Sequence, residues 1–478
     1  MKKDKILLIL YVVLNLLILS IIGICNQNFN LVTYFSLLQI ILSILLISHV
    51  NKRFLSIPII FLSLSYLFHF GQSIIISFGF NDVYAYKSVF STSSLGLYMQ
   101  AEYFAMVSHF FVTIGLVNGK QFLHNYMQFK KEDRKSLSRI ATIALIVISV
   151  SILPMLYLDF IKLLAVINSG YLSTYDTYMS GINKYLSFFA QFARPAIAML
   201  LISHKNDTKR ATILYVFASL YLFLVMLSGD RSTNMIYFIT YSFIYFRLVK
   251  ELKLKTILVL AVGGYFLLGF VSTISVFRDG SSFTLDSFIY YFRHRSNDGV
   301  FYSILREFGG TIKTLVYSIR FTPSYSNYNF GLTYILSWFG VLPKLPDFLS
   351  EFLIIHFTFT RSFPATYQGS LGGSYLGELY YNFGWLGCIM SVIVGYFIGS
   401  VNNLAEFSIK KKDWLILSLI MVLFPSIILW VRGYFVELLF KFFWLSLFSI
   451  YLYKYGERYA IFRWILSKYE QTLKPQGE

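Results

Sequence analysis

The chain has 478 residues, 56% of them hydrophobic and 13% charged, with a formal net charge of +18. A soluble domain carries roughly 25% charged residues, so this composition excludes a water-soluble globular enzyme. Two cysteines far apart in the sequence, Cys25 and Cys388, exclude a disulfide framework and a thiolate metal site.

Apolar runs of about 20 residues, enough to cross a hydrocarbon core, recur along the whole length. They predict an all-α polytopic membrane protein with about twelve transmembrane helices, at 5–25, 31–50, 54–79, 97–118, 139–158, 183–203, 211–228, 233–249, 256–277, 375–401, 414–431 and 434–453. Lys2, Lys3 and Lys5 precede the first run, but no small-residue cleavage site follows it, and Ile24 before Cys25 spoils a lipoprotein site. The first run is therefore expected to be a retained span. The expected organisation is a bundle of nine spans over 1–277, an external loop domain over 278–374 with short amphipathic helices, spans ten to twelve over 375–453, and a cytoplasmic tail over 454–478.

Positive charge follows the loops rather than any acidic partner. With an internal N-terminus, 26 of the 41 Lys and Arg fall in the loops expected to be cytoplasmic, which is the positive-inside pattern. The charge thus orients the protein in the membrane lipid, and no nucleic-acid partner is expected. Those 26 are 19 Lys and 7 Arg, whereas residues 278–378 carry 6 Arg and 2 Lys. Topology needs only positive charge; a planar guanidinium is needed where a phosphate or carboxylate must be held with fixed geometry. Seven acids in the same stretch make salt bridging within a folded loop the competing explanation.

Three arginines sit where spans reach the expected outer face: Arg231 after Ser228-Gly229-Asp230, Arg278 closing the ninth span, and Arg432 in the short turn Trp430-Val431-Arg432-Gly433-Tyr434. Snorkelling anchors explain one such residue; three on the cation-poor face point to a grip on a phosphate-bearing lipid. Arg194, mid-span beside Pro195, is placed to donate to carbonyls freed by the proline, and Glu437 and Lys441 lie at i and i+4 as a structural pair. Inside the loop, Arg293-His294-Arg295 follows the aromatic run Phe288-Ile289-Tyr290-Tyr291-Phe292, while Arg320 and Arg361 each have a glycine eleven residues on, Gly331 and Gly372.

The chain re-enters the membrane through Gly369-Ser370-Leu371-Gly372-Gly373-Ser374, where glycines allow close backbone approach and a helix start presents free N–H groups to an anion. Glu378 follows, a carboxylate whose desolvation and nearby arginines suit it to act as a base. Tyr380, Tyr381 and Asn382 are candidate sugar contacts. No Gly-x-x-x-x-Gly-Lys loop or Asp-x-Asp is present, and the seven histidines show no pair at ligand spacing. No cofactor or metal is expected, and any chemistry must draw its energy from the substrate.

Glu378-Leu379-Tyr380-Tyr381-Asn382-Phe383-Gly384-Trp385-Leu386-Gly387 resembles the Glu-x-Tyr-x-Asn-Phe-Gly-x-x-Gly signature of the Wzy-type polymerases of O-antigen and capsular polysaccharide. Gly229-Asp230-Arg231 is similar to a Gly-x-Arg element of that family, and the long loop before the signature also matches. Some members carry Arg-x10-Gly in two external loops; here Arg320 to Gly331 and Arg361 to Gly372 both lie in one. The resemblance implies a membrane-embedded glycosyltransferase similar to the GT-C class, independent of metal, in the cytoplasmic membrane of a bacterium with both termini cytoplasmic. It implies undecaprenyl-diphosphate-linked oligosaccharides as donor and acceptor, with a flippase and a chain-length regulator as candidate partners. Arg231, Arg278 and Arg432 would bind phosphates, Arg293, Arg295, Arg320 and Arg361 would grip diphosphate or acidic sugar, and Glu378 would be the base. A ligase moving finished glycan to another acceptor shares these features, and a flippase is the non-enzyme alternative.

Overall fold

A computed structural model describes residues 2–24, 28–79, 95–119, 135–169, 181–226, 228, 230–252, 308–342, 347–368 and 371–473, with isolated positions between 253 and 307. The described residues form helices and turns, with no strand among them. Four apolar helices open the chain: α1 (Lys2–Ile24), α2 (Phe29–Asn51), α3 (Ile57–Ser77) and α4 (Leu95–Asn118). Five follow: α5 (Lys135–Ser169), α6 (Asn183–Ala190), α7 (Ala193–Ser203), α8 (Thr208–Met226) and α9 (Arg231–Leu248). Short helices then occupy part of the predicted external loop: α10 (Ile312–Phe321), α11 (Leu332–Leu336), α12 (Asp347–Phe357) and α13 (Ala365–Gln368). The chain closes with α14 (Tyr375–Phe383), α15 (Gly387–Lys411), α16 (Trp414–Trp430), α17 (Val436–Tyr455) and α18 (Ala460–Leu473).

Among the described residues, eight helical stretches are long and apolar enough to cross a membrane. Three more predicted spans coincide with α4, α9 and the 17-residue α16, which are more polar or shorter. The predicted ninth span, 256–277, lies outside the described residues apart from Gly263. Two spans depart from the uniform helices expected. Residues 183–203 break at Gln191–Phe192 into α6 and α7. The tenth span breaks at Gly384, whose φ of +58° ends α14 before α15 begins. The tail carries α18, whose Phe462, Leu466 and Tyr469 are buried while Ile461 and Trp464 are exposed.

The chain divides into two compact units. The first comprises Met1–Gln128, Phe301–Glu406 and Ser426–Phe440. Its first four helices hold polar groups that would be costly in hydrocarbon unless paired, and they pair with one another. Tyr66 donates to Gln39 Oε1 at 2.5 Å, and Gln39 Nε2 donates to Asn15 Oδ1 at 2.9 Å and to the Met106 carbonyl at 3.1 Å. The Tyr11 and Ser43 hydroxyls are 2.9 Å apart, and Ser73 hydrogen-bonds Glu102. Local rules set the helix ends: Asn28 caps α2 through the Leu31 N–H, and Lys52 in the left-handed region (φ 54°) stops it.

In the same unit α4 and α15 touch backbone to backbone. A Cβ at Gly115 would collide with Val392 and Tyr396, one at Gly119 with Tyr396 and Ser400, and ones at Gly395 and Gly399 with Val112 and Leu116. Each helix thus presents a Gly-x-x-x-Gly pair to the other, the small-residue approach that packs membrane helices closely. Ser391 Oγ donates to the Ser108 carbonyl at 2.8 Å across this contact.

The second unit comprises Phe129–Val300, Phe407–Pro425 and Lys441–Glu478. Here α5 packs against α6, α7 and α18, and α8 against α9. Arg194 is paired: its Nη2 donates to Asp159 Oδ2 on α5 at 2.8 Å, and the Tyr221 hydroxyl donates to the same oxygen at 2.6 Å. The Tyr241 hydroxyl donates to the Arg194 carbonyl at 2.9 Å. The arginine that sequence set beside Pro195 is therefore a helix-to-helix tie.

Gly395→Val is expected to destabilise the protein by about 1–3 kcal/mol or more, because the collision is with backbone that cannot move aside. Thermal unfolding in detergent should show a lower midpoint than wild type. Gly23→Ala, where nothing lies within 4 Å, should leave it unchanged.

Candidate functional site

The signature helix α14 is short and almost wholly buried. Ser374 starts it as N-cap, its Oγ accepting the Gly377 N–H at 3.3 Å and its carbonyl accepting the Glu378 N–H at 2.8 Å. Gly373 lies against the backbone of Gly433, and Gly377 against Ser318, Phe359 and Thr314. Side chains at these glycines would push the helix off its neighbours.

Glu378 is 1% exposed. Its Oε2 accepts the backbone N–H of Phe435 at 3.0 Å, which ties the carboxylate to the turn between α16 and α17. The Thr333 hydroxyl and the Trp430 indole face the same carboxylate. The Tyr334 hydroxyl also lies within its electrostatic reach. The Tyr334 hydroxyl is buried without a hydrogen-bond partner. A buried donor left unmatched costs about 1–3 kcal/mol, which marks a place where stability is not what the sequence maximises.

Asn382 is fully buried and organises the loop that follows α10. Its Nδ2 donates to Thr333 Oγ1 and to the Glu378 carbonyl, both at 2.8 Å, and its Oδ1 accepts the Gly331 N–H at 3.0 Å. Its carbonyl accepts the Phe330 N–H at 2.9 Å. Phe330 and Gly331 both have positive φ, 46° and 88°. The left-handed backbone here is thus fixed from the signature helix, and Gly331 is the glycine eleven residues after Arg320.

Tyr381 belongs to an aromatic cluster with Tyr317, Phe321, Phe359 and Phe363. Tyr380 packs edge-on against Phe104 at 5.3 Å and against Trp385 at 6.2 Å. Both are 3–4% exposed. Arg320 is exposed, its guanidinium 5.5 Å from the Phe321 ring and 5.9 Å from that of Tyr367, which packs on the same cluster. Arg432 lies over the Phe68 ring of α3 at 5.5 Å. The Tyr434 and Thr360 hydroxyls are 2.6 Å apart, and Arg361, next to Thr360, is exposed.

The first unit contains Glu378, Asn382, Tyr380, Tyr381, Arg320, Arg361 and Arg432. Arg231 belongs to the second unit, 5% exposed at the start of α9. The preceding Asp230 carboxylate lies 3.8 Å from Lys162 Nζ. Arg278, Arg293 and Arg295 lie outside the described residues. Sequence reasoning missed Thr333, Tyr334, Trp430 and the Phe435 N–H, which come from segments 40 or more residues from Glu378 on either side and carry no spacing signal. Ser374 was legible as a helix cap, four residues before Glu378.

No curated protein and no solved structure matches the chain. The family model described as O-antigen polysaccharide polymerase Wzy matches residues 6–456. That match runs from the first apolar helix to just beyond the last membrane span and contains the whole site around Glu378, so the chain belongs to the O-antigen polysaccharide polymerase Wzy family, membrane proteins that act on lipid-linked repeat units.

Proposed function

We propose that this protein transfers a growing glycan from undecaprenyl diphosphate to the next lipid-linked repeat unit, on the outer face of the bacterial cytoplasmic membrane. The observation that carries the reading is the buried Glu378 carboxylate, fixed on one oxygen by the Phe435 N–H of the turn that carries Arg432, beside the unpartnered Tyr334 hydroxyl. Glu378 takes the proton from the acceptor hydroxyl as that oxygen bonds to the anomeric carbon of the donor. The bond from that carbon to the diphosphate oxygen breaks, and the leaving diphosphate keeps the electron pair. A base whose rotamer is already fixed needs no reorganisation at the moment of attack.

The diphosphate gathers negative charge as it leaves, and guanidinium groups are suited to that charge without metal or nucleotide. In this reading Arg231, Arg278 and Arg432 bind phosphates, and Arg293, Arg295, Arg320 and Arg361 hold diphosphate or acidic sugar. Asn382 acts by fixing the loop over 329–333, and Tyr380 and Tyr381 by packing the signature helix against its aromatic neighbours. The outer-face assignment rests on the lysine-rich loops of the opposite side.

Purified protein incubated with lipid-linked repeat units should give a ladder of products. Glu378→Gln keeps shape and hydrogen bonding but cannot take a proton, so the ladder should fall by a factor of about 10²–10⁴. Full activity of that variant would remove Glu378 from the chemistry, and a single transfer without a ladder would identify a ligase instead. Arg432→Ala is expected to lower kcat/KM roughly tenfold or more, with Arg432→Lys recovering only part, because lysine offers charge without the planar fork. Equal activity of all three forms would show that Arg432 serves packing on Phe68 alone.

A further inference from the structure

His69 lies on α3, more than 300 residues before the signature helix, and is fully buried. Its Nδ1 is 2.7 Å from the Ser65 carbonyl, which can only accept, so Nδ1 carries the proton. In the neutral ring Nε2 is then an acceptor, and it sits 3.0 Å from Ser374 Oγ. The Ser374 hydroxyl therefore donates to His69, which leaves its lone pairs to accept the Gly377 N–H. One turn earlier on α3, Ser65 Oγ is 2.9 Å from the Tyr375 hydroxyl and 2.6 Å from His109 Nε2. Two successive residues of α14 are thus bonded to two successive turns of α3.

The segment entering α14 has few anchors of its own. Gly372 and Gly373 bring no side chain; the Gly372 carbonyl accepts the Thr314 hydroxyl at 2.9 Å, and Gly373 rests on the backbone of Gly433. Glu378 is one turn beyond Ser374, its N–H bonded to the Ser374 carbonyl. On the other side of the carboxylate is the turn over 432–435, and Arg432 in that turn rests on Phe68, the residue before His69. A single turn of α3 therefore supports both elements that hold Glu378.

We propose that His69 is a positioning residue for Glu378: by accepting the Ser374 hydroxyl proton it fixes the N-cap of α14, and with it the direction in which the carboxylate faces the substrate. The inference rests on Glu378 being the base. A residue of this kind changes the turnover of bound substrate rather than its binding.

The test is steady-state polymerisation by the full-length protein in detergent or nanodiscs, with lipid-linked repeat unit as the varied substrate. His69→Leu and Ser374→Ala should each lower kcat about tenfold, since small misplacements of a reacting group cost that much or more, with KM within about twofold. The double variant should be no worse than the weaker single one, because both remove the same bond. His69→Gln, whose Oε1 can accept from Ser374, should recover kcat to within about threefold of wild type. Wild-type kcat in His69→Leu, a His69→Gln as poor as His69→Leu, or multiplying losses in the double variant would each overturn the proposal. If His69→Leu does not give folded protein by size exclusion, Ser374→Ala against Ser374→Thr decides, the hydroxyl-bearing threonine being expected to recover kcat and an equal loss in both overturning the idea. Glu378→Gln is run alongside. Its full activity would sink the base assignment, whereas an inactive Glu378→Gln with an unimpaired His69→Leu sinks only the role of His69.

Discussion

The hydrogen bond from the Phe435 N–H to the Glu378 carboxylate, 3.0 Å long, joins two segments that are distant in sequence. Burying a carboxylate is costly unless it is hydrogen-bonded. This one is placed where a backbone donor just before α17 is free of any helical partner. Much of the first unit serves that placement. The Ser374 cap sets the start of α14, the break at Gly384 sets its end, and Gly373 and Gly433 bring the two backbones together. Asn382 then uses the far end of the same helix to fix the 329–333 loop, which supplies Thr333 and Tyr334 to the carboxylate. A nine-residue helix thus organises groups from four separate stretches of chain.

The fold class was readable because a bilayer demands long apolar runs, and eight of the twelve expected spans are helices of that kind. Glu378 was readable because a carboxylate just inside a glycine-rich re-entry is rare. The breaks at Gln191–Phe192 and Gly384 were not, since hydropathy averages over the one or two residues that interrupt a helix. Gly384 needs a positive φ, yet glycine inside an apolar run is equally common in unbroken membrane helices. The helix in the tail escaped notice because its buried face, Phe462, Leu466 and Tyr469, needs a partner helix to become meaningful.

The polar partners of the site were hidden for a different reason. His69 is one of seven scattered histidines, and Tyr334 one of 37 tyrosines. Only their meeting with Ser374 and Glu378 distinguishes them, and a single sequence carries no record of such meetings. Arg194 shows the reverse case. It is conspicuous in sequence as a charge inside an apolar run, but it pairs with Asp159, whose carboxylate also accepts the Tyr221 hydroxyl.

The approach of Gly373 to Gly433 sets a limit on how this site can drift. Most contacts in a protein are between side chains, and a change on one side can be answered by a change on the other. A contact between two bare backbones has no such freedom, because no pair of larger residues restores it and no rotamer can absorb the error. The surrounding loops, held by side chains, are therefore free to vary, while the spacing between the helix that carries Glu378 and the turn that carries Arg432 stays fixed by the absence of two side chains.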